Sequence, residues 1–253
     1  MRIGTAGWSL NRDPAALFPG DGHQLQRYAR VLNCVEINSS FYRPHQPATY
    51  ARWAALTPPD FRFAVKLPRT ITHEARLGEA GEEALQRFLG ETAELGGKLA
   101  VILVQLPPSL AFDARAQRPF FERLAARTPA AIVCEPRHAS WFDTPAADAA
   151  LADWRIARAG ADPARRPSAA QPGGWLGPAG AGRGALLYWR WHGSPQLYRS
   201  PYTRDWLAQR LAELRRWPAA AEHWCIFDNT AQGAALPNAL ELRALELQAL
   251  AGD

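Results

Sequence analysis

The sequence predicts an α/β fold built as a single (β/α)8 barrel of the TIM type, on three observations. Short β-type runs alternate with longer amphipathic ones along the whole chain. Eight β-type runs fit in 253 residues, matching the length and the strand–helix count of a closed eight-stranded barrel. Polar and ionisable residues gather at the C-terminal ends of these runs, whose earlier halves are apolar. A doubly wound open sheet of the same length is the structural alternative.

The β-type runs are residues 2–8 (RIGTAGW), 34–40 (CVEINSS), 61–67 (FRFAVKL), 99–106 (LAVILVQL), 131–136 (AIVCEP), 154–160 (WRIARAG), 185–192 (ALLYWRWH) and 223–229 (HWCIFDN). Apolar residues recur at three- and four-residue spacing in 23–32, 47–56, 82–95, 117–127, 204–217 and 238–250, which predicts helices there. Residues 160–184 break the pattern. They are dense in Gly, Pro and Ala and show no helical period, so a long irregular loop is expected where the sixth helix would run. The expectation is one domain over residues 1–253, with this loop as its irregular crossover.

Composition narrows the function classes. Hydrophobic residues make up 47% and charged residues 21%, enough apolar content for a sizeable core and too much for a disordered chain. No apolar run approaches the roughly 20 residues of a membrane helix, and the N-terminal MRIGTAGWS lacks a secretory signal's charged and apolar regions. Cys34, Cys134 and Cys225 are odd in number and lie in apolar runs, reading as buried free thiols of a cytoplasmic protein. The net charge is +5, and only Lys66 and Lys98 are lysines, leaving 27 arginines. Coding bias accounts for Arg over Lys. The basic residues are spread along the chain, so the charge licenses only a weak preference for anions.

In a barrel, chemistry sits at the C-terminal ends of the strands. Side chains two apart share a face of a strand, which puts Glu36 and Asn38 inward, opposite Val35 and Ile37. The same alternation turns Lys66 inward. It also aligns Gln105 with Val101 and Leu103, Glu135 with Arg137, and Tyr188 with Arg190 and His192. The last run ends in Asp228, Asn229 and Thr230, and its phase is left open. Charged groups at matching positions on several strands meet in one ring. Such a ring is a salt-bridged plug, with Glu36 and Glu135 neutralising Lys66, Arg137 and Arg190, or a ligand site. As a site, Lys66, Arg137 and Arg190 would clamp a phosphate or carboxylate. A desolvated Lys66 would also suit a Schiff base. His192 or Glu135 would move a proton, with Glu36 as a second carboxylate, while Asn38, Gln105 and Asn229 orient polar groups. Trp8, Tyr42, His138 and Trp141 are candidates for the mouth. Glu36, Glu135, His192 and Asp228 have metal-ligand chemistry, but three cations in the same ring argue against a divalent ion, so neither metal nor cofactor is expected.

The segments GTAGWS (4–9), VEINSSFYR (35–43), FRFAVKLPRTITH (61–73), LVQLPPS (103–109), EPRHASWF (135–142), WRWHG (189–193) and DNTAQGAALPNA (228–239) together resemble the YecE-like family, domain of unknown function 72, over residues 3–240. The resemblance implies a TIM-type barrel and carries no established activity. The chain departs from the family pattern in having Ala6 for a serine, Leu10 for a tyrosine and Asp228–Asn229 for an asparagine pair. Arg155 and Arg158 also stand in a strand that is normally apolar.

The functional expectation is an enzyme on a small anionic substrate, a phosphate- or carboxylate-bearing sugar or nucleotide, of a reaction type the residues leave open. The rival classes are a non-catalytic binder of single-stranded nucleic acid, using exposed aromatics and arginines, and a metal-dependent phosphodiesterase resembling apurinic endonucleases, the latter by fold analogy alone. No membrane partner is expected, and the oligomeric state is left open.

Overall fold

The structure is a computed structural model that describes residues 1–10, 17–177, 185–218 and 220–252. Its strands are β1 (Arg2–Thr5), β2 (Cys34–Ile37), β3 (Arg62–Lys66), β4 (Leu99–Gln105), β5 (Ala131–Glu135), β6 (Ala157–Arg158), β7 (Gly160–Asp162), β8 (Gly173–Gly174), β9 (Leu186–Trp191) and β10 (Glu222–Phe227). Its α-helices are α1 (Gln24–Val31), α2 (Pro47–Ala55), α3 (Glu82–Thr92), α4 (Ala114–Arg127), α5 (Ala146–Asp153), α6 (Arg204–Leu214) and α7 (Ala235–Ala251). The helices follow the predicted runs except α5, whose Ala-rich sequence AADAALAD has too few large apolar residues to show a period.

The strands form two sheets, ordered β1-β10-β9-β7 and β2-β3-β4-β5-β6-β8. Every pairing is parallel except β6 with β8. Two features join the sheets. Ala6 and Glu36 form an isolated parallel bridge, and the Gly7 N–H donates to the Glu36 carbonyl at 2.9 Å. Residues 157–162 pair first with β5 and then with β9. Gly4 allows the close approach of β1 to β2, since a Cβ there would lie 2.3 Å from the Cys34 carbonyl oxygen. The buried Tyr28 hydroxyl ties the same two strands, accepting from Thr5 N at 3.0 Å and donating to Cys34 O at 2.9 Å.

Alternation along the strands sorts the core into two parts. Val35, Ile37, Phe63, Val65, Ile102, Val104, Trp189, Trp191 and Phe227 pack on the helices, where Phe88, Phe121 and Leu211 are buried. Trp53 and Leu245 are only partly buried against this layer. The opposite faces of both sheets meet in a smaller cluster that includes Cys34, Ala64, Val101, Leu103, Val133, Tyr188, Trp224 and Ile226. Burial on both faces is why these strands read as nearly continuous apolar runs.

The sixth β-type run begins later than its sequence suggests. Residues 154–156 are not strand, and Arg155 has a φ of 59°. Arg158 does not interrupt the strand, because Ala157 and Ala159 take the helix-free face and turn Arg158 toward α5. There Asp148 accepts from its Nε at 2.6 Å and its Nη2 at 2.8 Å. The expected long loop is built, over residues 160–177, from β7, a 3-10 turn (Pro167–Ala170) and β8. Its remainder, 178–184, lies outside the described residues. All three cysteines are free and buried, and burial pushes their thiols up. None of the described helices is long and apolar enough to cross a membrane.

Candidate functional site

The last turn of side chains on the helix-free face of β2, β5 and β9, with the residues just after β9 and β10, forms a buried charged network. Its centre is Arg190, fully buried. Nε and Nη2 of Arg190 donate to the two oxygens of Glu36 at 2.9 and 2.7 Å, a bidentate fork. Nη1 donates to Glu135 Oε2 at 2.6 Å, and Nη2 also reaches Asp228 Oδ2 at 3.0 Å. Tyr188 donates its hydroxyl to Glu36 Oε2 at 2.9 Å. His192 lies between two carboxylates, Nδ1 2.9 Å from Asp228 Oδ2 and Nε2 2.9 Å from Glu135 Oε1. Arg137 Nη2 pairs with Glu135 Oε1 at 2.6 Å and lies 2.9 Å from His192 Nε2.

Burial by itself would raise the Glu135 and Asp228 carboxyls. The surrounding Arg137, Arg190 and His192 outweigh it at Glu135 and hold that carboxyl well below its ordinary range. At Asp228, Arg190 with the His192 hydrogen bond and Lys66 outweighs burial and lowers the carboxyl. In Arg190, burial is outweighed in turn by Glu36, Glu135 and Asp228, so the guanidinium stays charged.

Lys66 stands apart. It is 6% exposed, and its ammonium lies 4.0 Å from the centroid of Phe41. Among the described residues Nζ makes no ion pair or hydrogen bond. Burial, reinforced by Arg190 and only partly countered by Glu36, Asp228 and Glu135, lowers its pKa to about 8. The His73 ring meets the same Phe41 ring edge-on at 5.0 Å. Three polar side-chain atoms of the strand-end residues are buried without hydrogen-bond partners: Asn38 Oδ1, Arg137 Nε and Asn229 Oδ1.

Of the residues singled out in the sequence, Glu36, Glu135, Arg137, Arg190 and His192 are joined in one hydrogen-bonded network, and Lys66 lies within its electrostatic reach. Arg190 differs from expectation in one respect. Four hydrogen bonds to carboxylates engage it and it has no exposure, so its guanidinium faces the network's own carboxylates. Gln105 donates to the carbonyl of Leu106 at 2.7 Å. Asn229 donates to Ser200 O and Asn238 Oδ1, each at 3.0 Å, tying a loop to α7. His138 accepts the Ser140 N–H at 3.2 Å and caps the short turn Ala139–Trp141. Trp141 is not at a mouth: it is 1% exposed, packs on Phe112 and donates its indole N–H to Leu110 O at 3.0 Å. Trp8 meets Trp53 edge-on at 4.9 Å and joins the helix-side core. Tyr42 is 71% exposed beside Phe41.

Sequence reasoning left the phase of Asp228 open and Tyr188 without a partner. The signal for Asp228 is its phase, two residues after Ile226 and four after Trp224, both on the helix-free face. Tyr198, 40% exposed, meets the His192 ring edge-on at 5.6 Å. Among the described residues no group of three or more His, Cys, Asp or Glu side chains is arranged to hold a metal.

Parallel α/β sheets with a charged cluster at their strand ends define the class, and the family follows from the whole length of the chain. Residues 2–251 match the family described as protein of unknown function DUF72, and the chain belongs to it. It is 37% identical over 83 residues to UPF0759 protein YecE of Escherichia coli K12, covering 33% of this chain and 30% of that protein. It is 31% identical over 154 residues to UPF0759 protein YunF of Bacillus subtilis 168, covering 56% of this chain and 52% of that one. The matches thus span about half or less of these bacterial relatives. A crystal structure of a DUF72 family protein from Enterococcus faecalis V583 is similar in fold, with a TM-score of 0.77 at 20% identity over 96% of this chain and 94% of that one. A xylose isomerase-like TIM barrel/4-hydroxyphenylpyruvate dioxygenase fusion protein aligns with a TM-score of 0.51 at 16% identity over 88% of this chain and 40% of that one.

Proposed function

We propose that the chain is an enzyme acting on a small anionic substrate, bearing a carboxylate or a phosphate, at the strand C-terminal ends. The observation that carries this reading is Lys66, 6% exposed at the end of β3, whose ammonium has no carboxylate partner among the described residues although Glu36, Asp228 and Glu135 act on it from the network. Leaving a charge buried and unpaired is costly, and such groups mark ligand sites more often than scaffolds. Arg137 supports it with an Nε lacking a partner, and Asn38 with a free carbonyl oxygen. In this reading Lys66 and Arg137 hold the anion, Asn38 orients a hydroxyl, and His192, between Asp228 and Glu135, moves a proton. Arg190 sets the geometry of all three carboxylates. The carboxylates' engagement by arginine speaks against the phosphodiesterase alternative, which needs them for metal.

The barrel is part of the same proposal. The Ala6–Glu36 bridge, the pairing of residues 157–162 with both neighbours and the cluster shared by both sheets support one closed eight-stave (β/α)8 barrel and one domain over residues 1–253. Its interior would present the network as a ring at one end.

A thermal-shift screen with inorganic phosphate, sugar phosphates, nucleotides, sugar acids and oligonucleotides tests the function. A ligand that binds only the native state raises the melting temperature. Stabilisation by a small anion that disappears in Lys66→Gln supports the reading. Stabilisation by oligonucleotides alone, falling steeply with salt, would replace it with the nucleic-acid-binding class.

A further inference from the structure

We propose that Lys66 is a nucleophile that forms an imine with the carbonyl group of a small oxo acid, the carboxylate of that substrate being held by Arg137. The inference rests on the anionic-substrate reading and names the substrate class within it.

Three features of the position carry the proposal. First, Lys66 ends a strand, and its backbone is fixed by Ser40, whose hydroxyl donates to the Lys66 carbonyl at 2.6 Å. The amine is therefore delivered from a rigid element to one place. Second, its surroundings disfavour the ammonium and give it no carboxylate partner. The side chain is largely buried and the nearby guanidinium of Arg190 opposes a second positive charge, against which the Phe41 ring, 4.0 Å from Nζ, offers the cation only a ring face. A lysine becomes nucleophilic when it is desolvated or placed next to another cation, and both conditions hold here. The lowering of its pKa to about 8 follows from the same two causes. Third, imine formation needs proton transfer next to the amine. Asp228 and Glu135 both act electrostatically on Lys66, and both are hydrogen bonded to His192.

A plain ion-pair role explains the position less well. The same network contains three carboxylates, yet each is directed at an arginine or at His192, and none pairs with Lys66. Lys98 provides the contrast within the chain. Its Nζ donates to Ala54 O and Thr57 O, each at 2.6 Å, and to Thr57 Oγ1 at 3.1 Å, so its hydrogens are engaged in holding α2.

The neutral Nζ attacks the carbonyl carbon, a C–N bond forms, and the π pair moves to oxygen; the nitrogen, now cationic, gives up one proton as the oxygen takes one, which leaves a neutral carbinolamine. The nitrogen lone pair then expels that oxygen as water after a second protonation. One amine, one carbonyl and one proton become a protonated imine and one water, with no oxidant or reductant involved. The proton is drawn through His192.

Reductive trapping tests this on the intact chain. The protein is incubated with glyoxylate and cyanoborohydride, and the carboxymethylated amines are located by peptide mass spectrometry, with glycolaldehyde as the uncharged comparison. Only two lysines and the N-terminal amine compete, so the map is unambiguous. The expected result is a Lys66 adduct formed at least about tenfold faster than one at Lys98, with glyoxylate preferred over glycolaldehyde and the preference lost in Arg137→Gln. Lys66→Arg keeps the cation and removes the amine, so it should still be stabilised by phosphate while losing the adduct. Labelling of Lys66 no faster than of Lys98 overturns the nucleophile. If phosphate still stabilises the wild type in that case, the anionic-substrate reading stands without it. A Lys66 adduct formed equally from both aldehydes, with no stabilisation by phosphate, retains the nucleophile and overturns the carboxylate assignment and the reading it rests on.

Discussion

Lys66 and Arg190 carry the same charge in the same cluster, and their partners set them apart. Arg190 is surrounded by Glu36, Glu135 and Asp228, each within 3.0 Å. Removing one member of a buried pair leaves the others uncompensated, at a cost of about 3–5 kcal/mol. Arg190→Met should therefore lower the unfolding free energy obtained from urea denaturation by that amount, and a change under about 1 kcal/mol would show that the network relaxes into solvent. Lys66 should behave in the opposite way. Its pKa is about 8 in the folded chain against an ordinary 10.5, so the unfolded state binds more protons between these values. Stability from this group therefore rises with pH across that window and is absent below it. Lys66→Met should stabilise the protein by about 1–3 kcal/mol at pH 7, the difference from wild type shrinking as pH approaches 10.5. Paired denaturation curves at the two pH values measure this. The groups that act on Lys66 are Arg190, Glu36, Asp228 and Glu135, with His73 across the Phe41 ring. A residue that destabilises its own fold while favouring ligand is expected at a site and not in a scaffold.

At the scale of elements, the segment after β9 reaches α7 through Tyr202 and Asn238. The Tyr202 hydroxyl accepts from Gly193 N at 2.9 Å and donates to Asp162 Oδ1 at 2.7 Å. Asn238 Oδ1 accepts from Tyr202 N at 2.9 Å, and its Nδ2 donates to Tyr202 O at 2.8 Å. These bonds hold residues 193–202, and with them Tyr198, over His192. Tyr202→Phe leaves the Gly193 N–H unsatisfied and should cost about 1–3 kcal/mol. Hydrogen exchange should rise in 193–202 while β9 stays protected; uniform loss across β9 would refute a local role. The helix layer makes a second test. Phe121 is fully buried on α4, and its truncation to Ala should cost about 3–5 kcal/mol. Leu245 of α7 is only partly covered and should cost distinctly less. Equal losses at the two sites would contradict the packing described.

For the whole molecule, acid stability follows from the network. Glu135 and Asp228 are held below their ordinary values by their cationic neighbours. Their contribution is complete above the unfolded carboxyl pKa values of about 4 and is lost as pH falls through the lower folded ones. The wild type should therefore lose stability steeply below about pH 4, and the loss should be shallower in Arg190→Met, where the carboxylates are already unmatched. Because the network draws on both sheets, with Glu36 and Glu135 on one and Arg190 on the other, its collapse should unfold both together in a single transition. Separate transitions would count against the proposed single barrel.

Much of this was legible in the chain itself. Two-residue alternation assigned Glu36, Lys66, Glu135, Arg190 and His192 to one face, because apolar neighbours such as Val35, Phe63, Val65, Trp189 and Trp191 had to face the helices. Periodicity located six of the seven described helices; α5 escaped because alanine carries little hydrophobic contrast. The sequence also determined that residues 160–184 do not continue the helical pattern. Only the tertiary structure decided which charges pair. Alternation places residues on a face but not at a distance, so it could not separate Arg190, bonded to three carboxylates, from Lys66, bonded to none. Nor could it show that Arg158 finds Asp148 or that Trp141 lies in the core. Those outcomes depend on strand register and helix placement, which arise when elements far apart in the chain pack together.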